Sequence, residues 1–196
     1  MTSSLMWDGK TLPAQARQLI EIGEACVLRP YLDSTGVPTI GWGSTTMPDG
    51  ERVTMHARAL TQAEADAMLD RQLEAETQAV ASAITVAIPE SAAAALVDFS
   101  HNLGLHALTG SMIRTMILGG RYDLAADQLG CWVMAGGKID LGLMRRREME
   151  RRVWVGAEVD AAHAQAWAMS ETALLPAYHK ALADAAAWKS GRGGAL

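Results

Sequence analysis

The sequence predicts an α+β fold that is mostly helical, with one small β-hairpin or short sheet near the N-terminus and a helical bundle after it. Three observations lead there. Ala, Leu and Met carry most of the apolar load and favour helices, whereas the aromatic residues are few, with six Trp, three Tyr and one Phe. Val37–Trp42 is β-prone and glycine-bounded, and it comes after the turn-forming run Asp33-Ser34-Thr35-Gly36. From Thr61 onward, helix-start signals alternate with glycine punctuation.

Each element arises from local chemistry. Thr11 is placed to cap a first helix, and Pro13 is tolerated in a first turn, where no helical amide partner is needed. Ala16, Leu19, Ile20 and Val27 form a stripe at helical spacing, and the helix is expected to end near Arg29-Pro30. The β element then covers about 31–45, and Met47-Pro48-Asp49-Gly50 is a second turn. Thr61-Gln62-Ala63-Glu64 is a capping box, so a long helix starts at Gln62 and runs into the eighties, before Pro89. Gly104, Gly110, Gly119-Gly120 and Gly136-Gly137 divide the next part of the chain into helices at about 90–103, 111–118, 122–134 and 143–155. An Ala-rich tail from Glu158 adds one or two helices, the last starting at Pro176, and Ser190–Gly194 is expected to fray. The organisation expected is a body over 1–157 with a helical extension, 158–196, packed on it.

Composition narrows the function. With 49% hydrophobic and 20% charged residues, the chain is globular rather than disordered. A net charge of −5 argues against nucleic acid as the partner, because that affinity comes from neutralising phosphates. Cys26 and Cys131 lack a CxxC or a paired His and are read as free buried thiols; His56, His106, His163 and His179 show no metal spacing and are read as surface residues. Trp132 and Trp154 are read as core. No secretory signal is visible and the apolar runs are too short to span a bilayer, so the expectation is accumulation in the cytoplasm, no stable membrane insertion, and a monomer.

The informative constellation is Glu24-x8-Asp33-x5-Thr39, a carboxylate near a helix end, a second at a β turn, and a hydroxyl at the start of the next strand. Cleavage of a glycosidic bond needs such a pair. One carboxyl keeps its proton for the leaving oxygen, and the other stays ionised to activate water or attack the sugar. Environment must separate the two. Apolar neighbours Cys26 and Val27 favour a protonated Glu24, whereas Asp33 lies in a polar turn beside Ser34 and Thr35 and should stay ionised; Thr39 could hold water beside it. Among 22 acidic residues such a spacing arises readily by chance, so it does not decide the matter alone.

The stretch EACVLRPYLDSTGVPTIGWG resembles the catalytic segment of phage endolysins of the lysozyme (muramidase) type, glycoside hydrolase family 24, whose pattern is EGxxLxxYxDxxGxxTIGxG. Two later blocks agree in order: Asn102-Leu103-Gly104 before Ser111 at a serine-capped helix, and Gly136-Gly137-Lys138 with Gly142-Leu143, Arg146-Arg147 and Glu150. The resemblance covers about residues 15–155. It implies a lysozyme-like two-lobed fold, with Glu24 as proton donor, Asp33 as catalytic carboxylate and Thr39 positioning water. It further implies cleavage of the β-1,4 bond between N-acetylmuramic acid and N-acetylglucosamine in bacterial peptidoglycan, generally with inversion, and neither cofactor nor metal. Trp42, His101, Asn102 and Ser111 become candidate substrate contacts, with core packing an equal option for His101. One Arg of Arg146 and Arg147 is implied to turn towards Glu24, the rest of Arg145-Arg146-Arg147 forming a solvated helix face. Ala25 departs from the family's Gly and is acceptable in plain helix, which is the expectation. The setting implied is host lysis, with release from the host cytoplasm through a holin pore to the cell wall. A catalytically silent binding protein and a tail-associated or toxin muramidase are the other readings.

Overall fold

The structure is a computed structural model that describes residues 5–33 and 35–191. Ser34 of the expected turn and Arg192-Gly193-Gly194 of the expected frayed end lie outside the described residues. The fold is α+β and mostly helical, and it divides into two compact units, Ile20–Ala75 and the residues on either side of that segment.

The smaller unit holds the hairpin. Helix α1, Ala16–Gly23, ends earlier than the apolar stripe suggested, and Val27, counted in that stripe, opens strand β1, Val27–Leu32. Strand pairing overrides helix periodicity here. β1 runs antiparallel to β2, Pro38–Gly41, with Tyr31 opposite Thr39 and Leu32 opposite Pro38, and the Leu28 carbonyl accepts the Leu60 N–H at 2.9 Å. The register shifts between Val27 and Tyr31, around Pro30, which has no N–H to give to a ladder. Thr11 does not cap α1: its N–H and hydroxyl both donate to Asp8, at 2.8 and 2.6 Å, in a turn ahead of the helix. Ala25 is not helical either, but no described residue other than glycine has positive φ, so its side chain is unstrained. Helix α2, Gln62–Ala83, starts at the expected capping box, in which the Thr61 N–H donates to Glu64 at 2.8 Å and the Glu64 N–H to the Thr61 hydroxyl at 3.2 Å. Ile40, Val53, Leu60, Ala65 and Met68 make the core of this unit.

The larger unit is helical. Helix α3, Glu90–Leu103, coincides with its predicted span and is buried continuously from Ala92 to Ser100, as a central helix with an apolar circumference must be. A short α4, Leu105–Thr109, fills the space between two predicted glycine breaks, and α5, Met112–Leu118, is capped by the Ser111 hydroxyl, which accepts from the Arg114 N–H. The helix expected over 122–134 is instead α6, Tyr122–Asp127, a 3₁₀ turn at Gln128–Cys131, and a two-residue hairpin of β3, Met134–Ala135, and β4, Lys138–Ile139. Tertiary contact explains the break. Gly130 lies so near the last helix that a Cβ would sit 3.5 Å from Ala181, and the Gln128 amide donates to the Ala181 carbonyl at 3.0 Å. Helix α7, Leu141–Trp154, leads to α8, Val159–Trp167, and α9, Glu171–Lys189. α9 starts at a Ser170 cap, ahead of Pro176, which lies inside it near its beginning. Cys26 and Cys131 are free and only partly buried. Trp154 is buried and Trp132 meets Phe99 edge-on at 5.4 Å; His163 is half-buried against Trp167 rather than on the open surface.

The expected solvated arginine face is not one. Arg145 donates to the Met169 carbonyl at the end of α8 through Nε and Nη2, at 3.1 and 3.0 Å. Arg146 and Arg147 are buried where α7 packs on α3. Arg146 forks onto Asp98, with Nη2 to Oδ1 at 2.8 Å and Nε to Oδ2 at 3.2 Å. Arg147 Nη2 donates to Asn102 at 3.0 Å and to Glu150 at 2.5 Å, and its guanidinium lies 5.0 Å from the Phe99 ring centre. That cation–π contact partly compensates Arg147 Nε and Nη1, which have no hydrogen-bond partner among the described residues. Burial pushes Glu150 well above the usual carboxylate range. Ionised, it would leave Oε2 a buried acceptor without a partner; protonated, it shares a hydrogen bond with Asp98. Burial would also raise Asp98, but the Arg146 charge and hydrogen bonds from Glu150 and Arg146 outweigh it and hold Asp98 at about 2.

The two buried carboxyls should affect stability with opposite signs. Asp98 is depressed on folding, so its contribution is present above the usual carboxylate range and is lost as pH falls towards 2. Asp98→Ala removes the two-pronged carboxylate partner of the buried Arg146 and should cost about 3–5 kcal/mol in urea unfolding near neutral pH. Glu150 is raised on folding, so stability declines as pH rises past the value at which the unfolded chain ionises it. Glu150→Gln keeps a donor and should flatten that decline without loss of folding; an unchanged slope above the usual carboxylate range would overturn a raised Glu150.

Candidate active site

Glu24, Asp33, Thr39 and Trp42 all belong to the unit 20–75, whereas His101, Asn102, Ser111, Arg146 and Arg147 belong to the other. Glu24 stands just past α1. Its N–H still donates to the Ile20 carbonyl at 2.8 Å, so the last helical turn fixes its backbone, and its side chain is partly buried.

Asp33 comes directly after β1 and organises the turn to β2. The Asp33 N–H donates to the Val37 carbonyl at 3.0 Å, and the Gly36 N–H to the Asp33 carbonyl at 3.0 Å. Gly36 has φ of +82°, a conformation costly for any residue with a Cβ. Three donors converge on Asp33 Oδ1: the Val37 N–H at 2.9 Å, the Thr35 N–H at 2.8 Å and the Thr35 hydroxyl at 2.8 Å. The Val37 and Thr35 bonds lower the Asp33 pKa, keeping a partly exposed carboxylate ionised, as its polar turn suggested. All three use Oδ1. Thr39 lies opposite Tyr31 and is 3% exposed; its hydroxyl donates to the Val37 carbonyl at 3.0 Å, which leaves its lone pairs to accept from a water.

Tyr31, a fixed position of the family pattern to which the sequence reading gave no role, is a member of this group. Its phenol is raised first by burial, then by the negative charges of Glu24 and Asp33. One side chain therefore feels both carboxylates, which brings the two ends of the motif into one electrostatic neighbourhood. The signal was its place between them in the sequence. Trp42 is half-buried against the core of its unit, and its indole N–H donates to Asp66 at 2.9 Å, tying the hairpin to α2. Gly41, at φ of +66°, supplies the left-handed backbone that leads into Trp42, a conformation costly for a residue with a Cβ.

The remaining candidates have structural partners. His101 has a side chain 6% exposed and faces Glu76 at 3.0 Å, and Asn102 accepts from Arg147. The buried Ser111 hydroxyl is used by its cap, donating to the Leu108 carbonyl at 2.7 Å and accepting from Arg114. Arg146 and Arg147 hold the α3–α7 seam.

A hairpin with an ionised Asp at its turn, a half-buried Glu at a preceding helix end and a helical bundle define a lysozyme-like fold. The endolysin of Escherichia coli O157:H7 phage FAHEc1 shares it, with a TM-score of 0.68 and 29% identity over 74% of this chain and 94% of that one. The SAR-endolysin of Bacteriophage PS119 is 38% identical over 125 residues, 64% of this chain and 72% of that protein, and the endolysin of Salmonella phage P22 is 32% identical over 120 residues, 61% and 82%. The phage lysozyme family model matches residues 21–150, and the chain belongs to that family. This homology supports a peptidoglycan-hydrolysing enzyme.

The turn makes a prediction of its own. Thr35→Val removes one of three donors to Asp33 Oδ1, so the Asp33 carboxyl should titrate higher than in the wild type, where it lies below the usual carboxylate range. Carbon-detected NMR titration of the side-chain carboxyl reads this directly, and an unmoved midpoint would show that the hydroxyl bond does not form.

Proposed function

We propose that the chain is a muramidase of glycoside hydrolase family 24 that hydrolyses the β-1,4 bond between N-acetylmuramic acid and N-acetylglucosamine, with Glu24 as proton donor, Asp33 as base and Thr39 holding the water. The single observation that carries this reading is the Asp33 turn, where three donors converge on Oδ1 at the end of the strand that pairs Tyr31 with Thr39 and follows Glu24. Glu24 Oε–H gives its proton to the glycosidic oxygen as the bond to the anomeric carbon breaks. Asp33 Oδ2 takes a proton from water as that water attacks the same carbon from the opposite face, which inverts the anomeric configuration. The Thr39 hydroxyl, whose own proton is committed to the Val37 carbonyl, accepts from the attacking water and orients it. The place of action on this reading is the wall of a host bacterium, reached from its cytoplasm through a holin pore.

Clearing of outer-membrane-permeabilised Gram-negative cells should be rapid with wild type and at least ~100-fold slower with Glu24→Gln, the scale of a lost general acid. Reducing ends should appear without free amines and without anhydro-muramic termini. Equal clearing by both proteins removes Glu24 from the role of acid, and release of amines would make the chain an amidase or peptidase instead.

A further inference from the structure

Helix α9 packs on α7 and on the 3₁₀ turn at Gln128–Cys131, but it does not close on them fully. A cavity of about 230 Å³ remains, and every residue of its wall belongs to the larger unit. α7 presents Met144, Arg147 and Glu148 to it, and α9 presents Leu174, Ala177 and Tyr178, each set at the spacing of one helical face. The gap follows from the sequence, because Gly130 and Ala177 stand in the wall where longer side chains would fill it. The buried side chains of Val133, Met144 and Leu174 make a continuous apolar surface. Glu24, Asp33 and Thr39 all belong to the other unit, and the hydrolytic mechanism makes no use of this cavity.

The charged groups of the wall are of two kinds. Lys180 Nζ donates to Asp127 at 2.6 Å and Arg151 Nε to Glu148 at 2.9 Å, so these four neutralise one another. Arg147 is different. Its side chain is 1% exposed, and of the five N–H bonds of a guanidinium it uses only those on Nη2, with Asn102 and Glu150. Nε and Nη1 are buried and have no acceptor among the described residues, an unfavourable state that an acceptor brought in from outside would relieve. The Tyr178 hydroxyl also makes no hydrogen bond with any described residue. Arg147 meets the cavity over so small an area that only one group of an occupant can face it, and the rest must be apolar to match Val133, Met144 and Leu174. A cavity of roughly 150 Å³ holds a six-carbon ring. This one has room for such a ring and a carboxyl beside it.

We propose that this cavity binds a small carboxylate carried on a compact apolar body, an aromatic or branched aliphatic acid, whose oxygens accept from Arg147 and the Tyr178 hydroxyl while its body lies against Val133, Met144 and Leu174. Arg147 selects the anion, because a hydrogen bond from a guanidinium to a carboxylate is roughly twice as strong as one between neutral groups. Since α7 and α9 both line the cavity, the occupant ties the C-terminal helix to the body and stabilises the fold by mass action. The site does not depend on the muramidase reading and takes no part in the cleavage.

The test uses benzoate as the probe and benzamide, of nearly the same shape but uncharged, as its control. Each is titrated into the full chain and followed by amide NMR. Benzoate should give saturable shifts at Met144, Ala177 and Tyr178, with Kd on the order of a millimolar. Benzamide should bind about tenfold more weakly, the scale of one charge-assisted hydrogen bond. Arg147→Met removes the guanidinium and keeps an apolar stem, so benzoate should then bind no better than benzamide. Ala177→Leu fills the cavity from α9 and should lose both probes, which keeps the proposal testable if Arg147→Met does not fold. No saturable shift at the cavity residues, equal affinity of wild type for the two probes, a preference for benzoate retained by folded Arg147→Met, or binding unchanged in Ala177→Leu overturns the proposal.

Discussion

Asp33 and Val37 bind each other twice across a turn of three intervening residues, the Asp33 N–H to the Val37 carbonyl and the Val37 N–H to Asp33 Oδ1. Much of the smaller unit depends on this exchange. It closes the hairpin, fixes the register that sets Tyr31 opposite Thr39, and leaves the Val37 carbonyl where it can also take the Thr39 hydroxyl proton. A carboxylate that would otherwise be a mobile surface group becomes part of the backbone geometry. Its protonation would weaken the turn, so the state that the proposed general-base role requires is also the state that holds the turn together.

The larger unit is governed by a different constraint. Four ionisable side chains lie in the α3–α7 seam, and a buried charge is tolerated only when paired. Asp98 and Arg146 answer this with a two-pronged ion pair. Arg147 is satisfied more loosely, by Asn102, Glu150 and the face of Phe99, and burial raises the Glu150 pKa against the pull of the Arg147 charge. The block that reads in sequence as a run of positive charge on a solvated helix is thus an internal joint between α3 and α7.

What could be read in the sequence was what local chemistry determines. The capping box at Thr61–Glu64 and the span of α3 are set by residues within a few positions of each other, and both are found where predicted. Glu24, Asp33 and Thr39 were legible as a motif, and the structure puts them in one unit around a shared Tyr31. Local signals failed where a distant partner decides. The fate of Val27–Pro30 is settled by β2 and by Leu60, and that of Gln128–Cys131 by Ala181 on α9. Asp98 shows the same limit, since nothing near it in the sequence announces a partner 48 residues away.

The means by which Asp33 is kept ionised has a consequence for chemistry. An arginine or lysine paired with it would lower its pKa as well, but would cancel the field it presents to a sugar. The donors at Oδ1 are instead two peptide N–H groups and a hydroxyl, dipoles that stabilise the anion without bringing a compensating charge. The net negative charge of the carboxylate is kept. On the proposed muramidase reading, positive charge would develop on the sugar ring in the transition state, and a carboxylate held by fixed dipoles would meet that charge undiminished and already oriented. A neutral hydrogen-bonding turn therefore suits Asp33 better than an ion pair would. The same logic separates it from Asp98, whose full pairing with Arg146 serves packing and leaves no charge to spend on a reaction.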